Sequence, residues 1–104
     1  DNHFSWDGTA PVVNNPEVTG EMMGIAEYLF AGDVVEMSEP VMGGEDVAFF
    51  LEARPGAFFF LNTCDPEKHK FYHHNSKFDI EESVLWKGTA AMAAMAFQWL
   101  HDHK

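Results

Sequence analysis

Residues 57–61 read Ala57-Phe58-Phe59-Phe60-Leu61, and this run decides the predicted fold class. It follows the chain breaker Arg54-Pro55-Gly56 and is apolar at every position, so it has no polar side to turn toward water. A strand of this kind belongs in the middle of a sheet that helices cover on both faces. We therefore expect residues 57–61 to form a central strand.

Helical and extended patterns alternate around this run. Asn15 and Pro16 are typical of a helix start, and Gly32 is typical of a left-handed helix end. Two further helices are expected at residues 45–53 and 85–100. Residues 3–13 are expected to form a strand followed by an extended connection, residues 34–37 a short strand, and the polar residues 62–77 a loop. The predicted buried side of the last helix consists of Leu85, Thr89, Met92, Ala96 and Trp99 with Leu100.

This order predicts an α/β fold in which helices cover a mixed, largely parallel sheet. Three strands make a narrow sheet for so apolar a central strand. The sequence therefore predicts more sheet than its own strands supply.

Composition excludes several function classes. The 104 residues include only six Lys plus Arg and carry a formal net charge of −11, which repels phosphate backbones and anionic lipid headgroups. We expect no nucleic-acid partner and no membrane partner. The high negative charge also favours solubility. The chain begins at Asp1 without a recognisable signal peptide, so we expect a trimmed or processed start and a cytoplasmic protein.

Cys64 is the single cysteine, so an internal disulfide is excluded. It could be a reactive nucleophile, but reactivity requires a lowered thiol pKa, and the sequence shows no group that would lower it. We favour an incidental thiol.

Two stretches could carry chemistry. His73 and His74 lie in the polar loop, where imidazoles could bind a transition metal or simply be solvated, and no Cys or carboxylate spacing completes a closed site. Gly43, Gly44 and Glu45 lie at a predicted helix start, where backbone N–H groups could hold an anion. The alternative there is a flexible turn with acidic residues in the first helical turn.

Four stretches of the sequence form a recognisable series: Pro11-Val12-Val13-Asn14-Asn15-Pro16, Met42-Gly43-Gly44-Glu45-Asp46, Arg54-Pro55-Gly56-Ala57-Phe58-Phe59-Phe60-Leu61 and His73-His74-Asn75-Ser76-Lys77-Phe78-Asp79-Ile80. In this order they resemble the amidohydrolase branch of the aminoacylase/carboxypeptidase metallopeptidase family, which includes hippurate hydrolases and auxin-conjugate hydrolases.

The resemblance implies part of a zinc-exopeptidase-like catalytic domain. Residues 1–10 would be the end of, or the return from, an inserted dimerisation domain, and residues 11–104 would be the C-terminal part of the catalytic domain. The missing N-terminal part would supply the remaining sheet, and the parent protein would be a homodimer.

The resemblance also implies the site residues. His74, four residues before Phe78, would bind one of two divalent metal ions, with zinc expected and manganese, cobalt or nickel as alternatives. His73 would be its neighbour. Gly43, Gly44 and Glu45 would line the pocket for an N-acyl amino acid or peptide substrate.

The other ligands and the general base would lie outside this chain, which holds no catalytic residue of its own. The isolated chain is therefore expected to be inactive, because a catalytic zinc site usually takes three protein ligands. The alternative function is a non-catalytic binding or structural module that associates with a partner chain.

Overall fold

The computed structural model describes residues 8–104, which form two compact units. The first unit ends at Phe58 and contains α1 (Pro16–Leu29) and α2 (Val47–Ala53). The second unit, Phe59–Lys104, contains a single 3₁₀ turn at Glu82–Val84 and α3 (Leu85–Asp102).

The start of α1 is fixed by local signals. The side chain of Asn15 accepts a hydrogen bond from the Val18 N–H at 3.0 Å and so caps the helix. Pro16 occupies the first helical position, where an N–H would have no intrahelical partner. The helix ends at Leu29, and Gly32 follows with a φ of 84°. The predicted cap, start and left-handed glycine are confirmed.

The second helix is shorter than the sequence predicts. It begins at Val47, two residues after the expected start, and the side chain of Asp46 makes no capping hydrogen bond. It ends at Ala53, directly before the predicted breaker. Ala48 is fully buried and anchors this helix in the first unit.

The third helix begins at Leu85 as predicted, but its buried side differs. Ala91 and Met95 are buried, whereas Met92 is 60% and Leu100 is 69% exposed. A Cβ on Gly88 would lie only 3.1 Å from Cδ2 of Leu61. The absence of a side chain at Gly88 lets Leu61 approach closely on the side of the helix that also contains the buried Ala91 and Met95.

The predicted α/β fold is wrong for this structure. Residues 8–104 contain helices and irregular segments but no β-strand, so there is no sheet for the helices to cover in this part of the chain. Residues 57–61 and 34–37 are irregular, and Val35 is 80% exposed. Of the strand and extended connection predicted at 3–13, residues 8–13 are irregular and residues 3–7 lie outside the described residues.

The physical reason is visible at Phe58. A strand exists only as part of a hydrogen-bonded ladder between two backbones. Asn15 N–H donates to the Gly56 carbonyl at 2.9 Å, which starts such a pairing. At Phe58, however, the Asn14 side chain bonds to both the backbone N–H and the carbonyl oxygen. A side chain thus takes the place of a neighbouring backbone, and the ladder does not continue there.

No helix within residues 8–104 is long and apolar enough to cross a membrane.

Candidate functional site

His74 lies in the second unit, in the irregular segment between residues 70 and 80. Its φ of 68° places it in the left-handed region, and it is the one non-glycine residue among residues 8–104 with a positive φ. This conformation costs an L-residue roughly 1–2 kcal/mol, because Cβ approaches the following carbonyl oxygen. The loop therefore holds His74 in a backbone conformation that the residue would not adopt by itself.

Aromatic contacts surround the two histidines. The rings of His73 and His74 meet edge to face, with their centroids 5.1 Å apart. His73 also meets the ring of Phe78 edge to face at 6.4 Å. All three side chains are exposed. The structure therefore brings the predicted ligand, its neighbour and the phenylalanine of the same motif into one exposed cluster.

Asn75 builds the turn that follows His74. Its side-chain oxygen accepts the Lys77 N–H at 2.9 Å, and its carbonyl accepts the Phe78 N–H at 2.9 Å. The Lys77 ammonium lies 5.5 Å from the centroid of the Phe71 ring. Sequence reasoning did not single out Asn75, although asparagine commonly bonds to the backbone two residues ahead in turns.

A second set of contacts fixes the other end of this polar segment. The Lys68 ammonium lies 3.2 Å from the Asp65 carboxylate and 3.1 Å from that of Glu81. The Glu81 N–H donates to the Thr63 carbonyl at 2.8 Å. The contacts of Glu81 join residues 63–68 to the segment that precedes α3. The sequence pattern gave no signal for the pairing of Lys68 with Glu81, because the two residues are 13 positions apart.

Hydrogen bonds set the pKa values of these groups. The Glu67 N–H, followed by the Lys68 ammonium, lowers the pKa of Asp65 below its ordinary 3.8. Bonds from Ser83, followed by Lys68, lower the pKa of Glu81 below 4.5. Glu81 and then Asp65 raise the pKa of Lys68 above 10.5. All three groups are therefore charged at neutral pH.

Cys64 is exposed, and its thiol donates a weak hydrogen bond to the His69 carbonyl at 3.5 Å. The Nδ1 atom of His69 accepts the Asp65 N–H at 3.0 Å. The Nδ1 atom of His69 is therefore engaged in a hydrogen bond within the loop.

Gly43, Gly44 and Glu45 lie in the first unit, before α2. A Cβ on Gly44 would come 2.6 Å from Oγ1 of Thr9, whereas one on Gly43 would meet only Val41 at an ordinary 3.7 Å. The Glu45 carbonyl accepts the Ala48 N–H at 3.1 Å. Gly44 is therefore the position at which the backbone approaches a neighbouring segment closely.

A metal centre needs several donors that converge on one point. Within residues 8–104, no three or more His, Cys, Asp or Glu side chains are grouped so that they could hold a metal ion. The exposed His74 imidazole can serve as one ligand, so the described residues fit a partial site and not a complete one.

Comparisons with known proteins place these features in a family. The profile of Peptidase family M20/M25/M40 matches residues 2–98. The chain is 43% identical over 97 residues to Thermostable carboxypeptidase 1 of Saccharolobus solfataricus, covering 92% of this chain and 24% of the relative. It is 33% identical over 93 residues to the Putative amidohydrolase YhaA of Bacillus subtilis, covering 88% of this chain and 24% of the relative.

A plant protein, IAA-amino acid hydrolase ILR1-like 2 of Arabidopsis thaliana, is 33% identical over 92 residues, covering 88% of this chain and 21% of the relative. No solved structure matches the chain. The chain spans about a quarter of the length of the curated relatives it matches first, 24% and 22%. The family profile covers nearly the whole chain, and the resemblance seen in the four sequence stretches is confirmed: the chain belongs to Peptidase family M20/M25/M40.

Proposed function

We propose that this chain is part of a dinuclear metal-dependent amidohydrolase, called the parent enzyme below, that hydrolyses the amide bond of N-acyl amino acids or small peptides. The observation that supports this most is the similarity of most of the chain to relatives named carboxypeptidase, amidohydrolase and IAA-amino acid hydrolase. These names share the cleavage of an amide bond beside an amino acid.

In this proposal His74 is one metal ligand. Its left-handed backbone supports the role, because strained residues cluster at functional sites where the surrounding structure holds them in place. His73, whose ring contacts His74, is a neighbour and not a ligand. The proposed metals are two divalent ions, with zinc first and manganese, cobalt or nickel as alternatives.

Such ions, when bound, supply Lewis-acid activation of water and of the substrate carbonyl. The contribution of this chain is to present the His74 imidazole from an ordered turn. The general base and the remaining ligands belong to the rest of the parent enzyme, so we propose no catalytic residue among residues 1–104 and no activity for the isolated chain.

Gly43, Gly44 and Glu45 are proposed to line the substrate pocket. The close approach of Gly44 to Thr9 supports an ordered turn at this place. We expect Glu45→Gln to change kcat/KM of the parent enzyme while leaving its metal content unchanged. Loss of bound metal in this variant would contradict the separation of the pocket from the metal ligands.

The missing N-terminal part of the catalytic domain is the proposed partner of this chain. Met92, Phe97 and Leu100 on α3 are 60%, 73% and 69% exposed, and apolar surface of this kind is usually covered by protein. Residues 1–10 are proposed to lead out of an inserted domain through which the parent enzyme forms a homodimer.

The experiment that tests the function is hydrolysis of hippurate and other N-acyl amino acids by the parent enzyme, before and after treatment with a chelator. We expect hydrolysis that the chelator removes and zinc restores, and none by the purified 104-residue chain. Hydrolysis that survives complete metal removal, or hydrolysis by the isolated chain, would overturn the proposal.

The second candidate is a non-catalytic module that associates with a partner chain, and the exposed side of α3 supports it. The two candidates differ in one observation. If the residues encoded upstream of Asp1 include Cys, His and paired Glu ligands, the chain is part of the enzyme. If those ligands are absent, the chain is a binding or structural module.

A further inference from the structure

We propose that Asn75 is a positioning residue that holds the His74 imidazole in the orientation it needs to bind metal. The inference rests on the proposed role of His74 as a ligand and assigns the cause of its backbone conformation. Asn75 does not itself contact metal or substrate in this proposal.

Two hydrogen bonds from successive residues converge on Asn75. Its side-chain oxygen accepts the Lys77 N–H and its carbonyl accepts the Phe78 N–H, each at 2.9 Å. Together they close a tight turn directly after His74. Without the side-chain bond, the chain at residues 75–77 has more conformations open to it, and the left-handed φ of His74 is no longer favoured by its surroundings.

A change of φ at His74 would move its ring, because the direction of the Cα–Cβ bond follows the backbone. The turn also acts through side chains. The Phe78 ring, whose backbone is tied to Asn75, contacts His73, and His73 in turn contacts His74. Asn75 is therefore linked to His74 both through the backbone and through this row of rings.

Four variants of the parent enzyme test the inference: Asn75→Ala, Asn75→Ser, Asn75→Asp and, as the matched control, Asn62→Ala. Asn62 makes the same kind of bond, from the Cys64 N–H to its side-chain oxygen at 3.0 Å, at the other end of the same polar segment. Zinc dissociation constants are measured by competition with a chromophoric chelator, together with the hydrogen exchange rate of the Lys77 amide.

We expect Asn75→Ala to speed exchange at Lys77 and to weaken zinc binding about three- to tenfold, the factor that one net hydrogen bond contributes. Ser and Asp both keep an oxygen acceptor and should restore most of the affinity. Asn62→Ala should leave zinc binding unchanged.

Unchanged zinc affinity in Asn75→Ala, with faster exchange at Lys77, would overturn the inference. Equal weakening of zinc binding by Asn62→Ala would also overturn it, because this result indicates a general loss of stability. Rescue of zinc binding by Asn75→Asp but not by Asn75→Ser would overturn it as well, because this result indicates an effect of charge. These outcomes are separate from a failure of the proposed function, which is seen as unchanged zinc binding in His74→Ala.

Discussion

The side-chain amide of Asn14 makes both of the hydrogen bonds that a neighbouring strand would make to Phe58. Its Nδ2 donates to the Phe58 carbonyl at 2.9 Å, and its Oδ1 accepts the Phe58 N–H at 2.8 Å. The two residues are 44 positions apart. One side chain thus connects the segment before α1 to the start of the phenylalanine run and satisfies both polar groups of a partly buried peptide.

We predict that Asn14→Ala destabilises the first unit by about 1–2 kcal/mol, because it leaves a partly buried N–H and carbonyl without these partners. Asn14→Asp keeps the acceptor for the N–H but puts a negatively charged oxygen opposite the Phe58 carbonyl oxygen. Because these two oxygens repel each other, its effect should be at least as large. The measurement is chemical unfolding, with hydrogen exchange at the Phe58 amide as the local readout.

Asn62→Ala is the control for this prediction. It removes one exposed side-chain bond to the Cys64 N–H, so its cost should be smaller and the Phe58 amide should stay protected. Equal exchange rates at Phe58 in Asn14→Ala and in the unaltered protein would refute the role of Asn14.

The cap of α1 offers a second prediction. Asn15→Ala should lower stability by about 1 kcal/mol, since the Val18 N–H loses its acceptor. Asn15→Asp keeps the acceptor and adds a negative charge at the positive end of the helix, so it should be neutral or stabilising. The measurement is thermal unfolding of the two variants. An equal loss of stability in both would show that the hydrogen bond to the Asn15 side chain is not the cause.

Local signals explain which elements could be predicted from the sequence. The start of α1 depends on Asn15 and Pro16, which act within one helical turn, and the start of α3 was also predicted correctly. The strand prediction at 57–61 was wrong because a strand depends on a partner backbone, and apolar composition alone does not supply one. The predicted buried side of α3 was wrong because helical periodicity does not show which side other residues cover. Leu61 approaches this helix at Gly88, on the side of Ala91 and Met95.

The candidate site also has features that the sequence predicts and features that it does not. The His-rich loop and the spacing of His74 to Phe78 could be seen in the sequence. The left-handed φ of His74 could not, because a positive φ is uncommon for any non-glycine residue and depends on the turn around it. Asn75 carried a weak turn signal. The ion pair between Lys68 and Glu81 carried none, since the two residues are 13 positions apart.

The Lys68 bridge predicts a pH dependence. The pKa values of Asp65 and Glu81 are lowered on folding, so their contribution to stability is complete above their ordinary values of 3.8 and 4.5 and is lost as the pH falls through the lowered ones. At the other end, the raised pKa of Lys68 means that its contribution is lost only as the pH rises above 10.5 and through that raised value.

Lys68→Met should therefore lower the thermal midpoint slightly at neutral pH, and the difference from the unaltered protein should shrink in acid. Part of the acid sensitivity should remain, because bonds from Glu67 and Ser83 also lower the two carboxyl pKa values. Lys70→Met is the charge-matched control. A constant difference between Lys68→Met and the unaltered protein from neutral to acid pH would argue against the bridge.

The glycine pair gives a prediction with an internal control. A Cβ at Gly44 would press on Thr9 at 2.6 Å, whereas one at Gly43 meets only an ordinary contact with Val41. Gly44→Ala should cost about 1 kcal/mol of stability and raise the KM of the parent enzyme, whereas Gly43→Ala should leave the stability unchanged. Combining Gly44→Ala with Thr9→Ala should restore the KM, and a double variant as impaired as Gly44→Ala alone would rule out this contact as the cause.

The central claim is that His74 binds metal and that His73 does not. Its most direct test is the metal content of the purified parent enzyme, measured by elemental analysis beside the rate of hydrolysis, for His74→Ala and His73→Ala. We predict that His74→Ala reduces bound metal and abolishes hydrolysis, whereas His73→Ala retains the metal and most of the activity. Equal, small effects of the two substitutions would contradict the assignment.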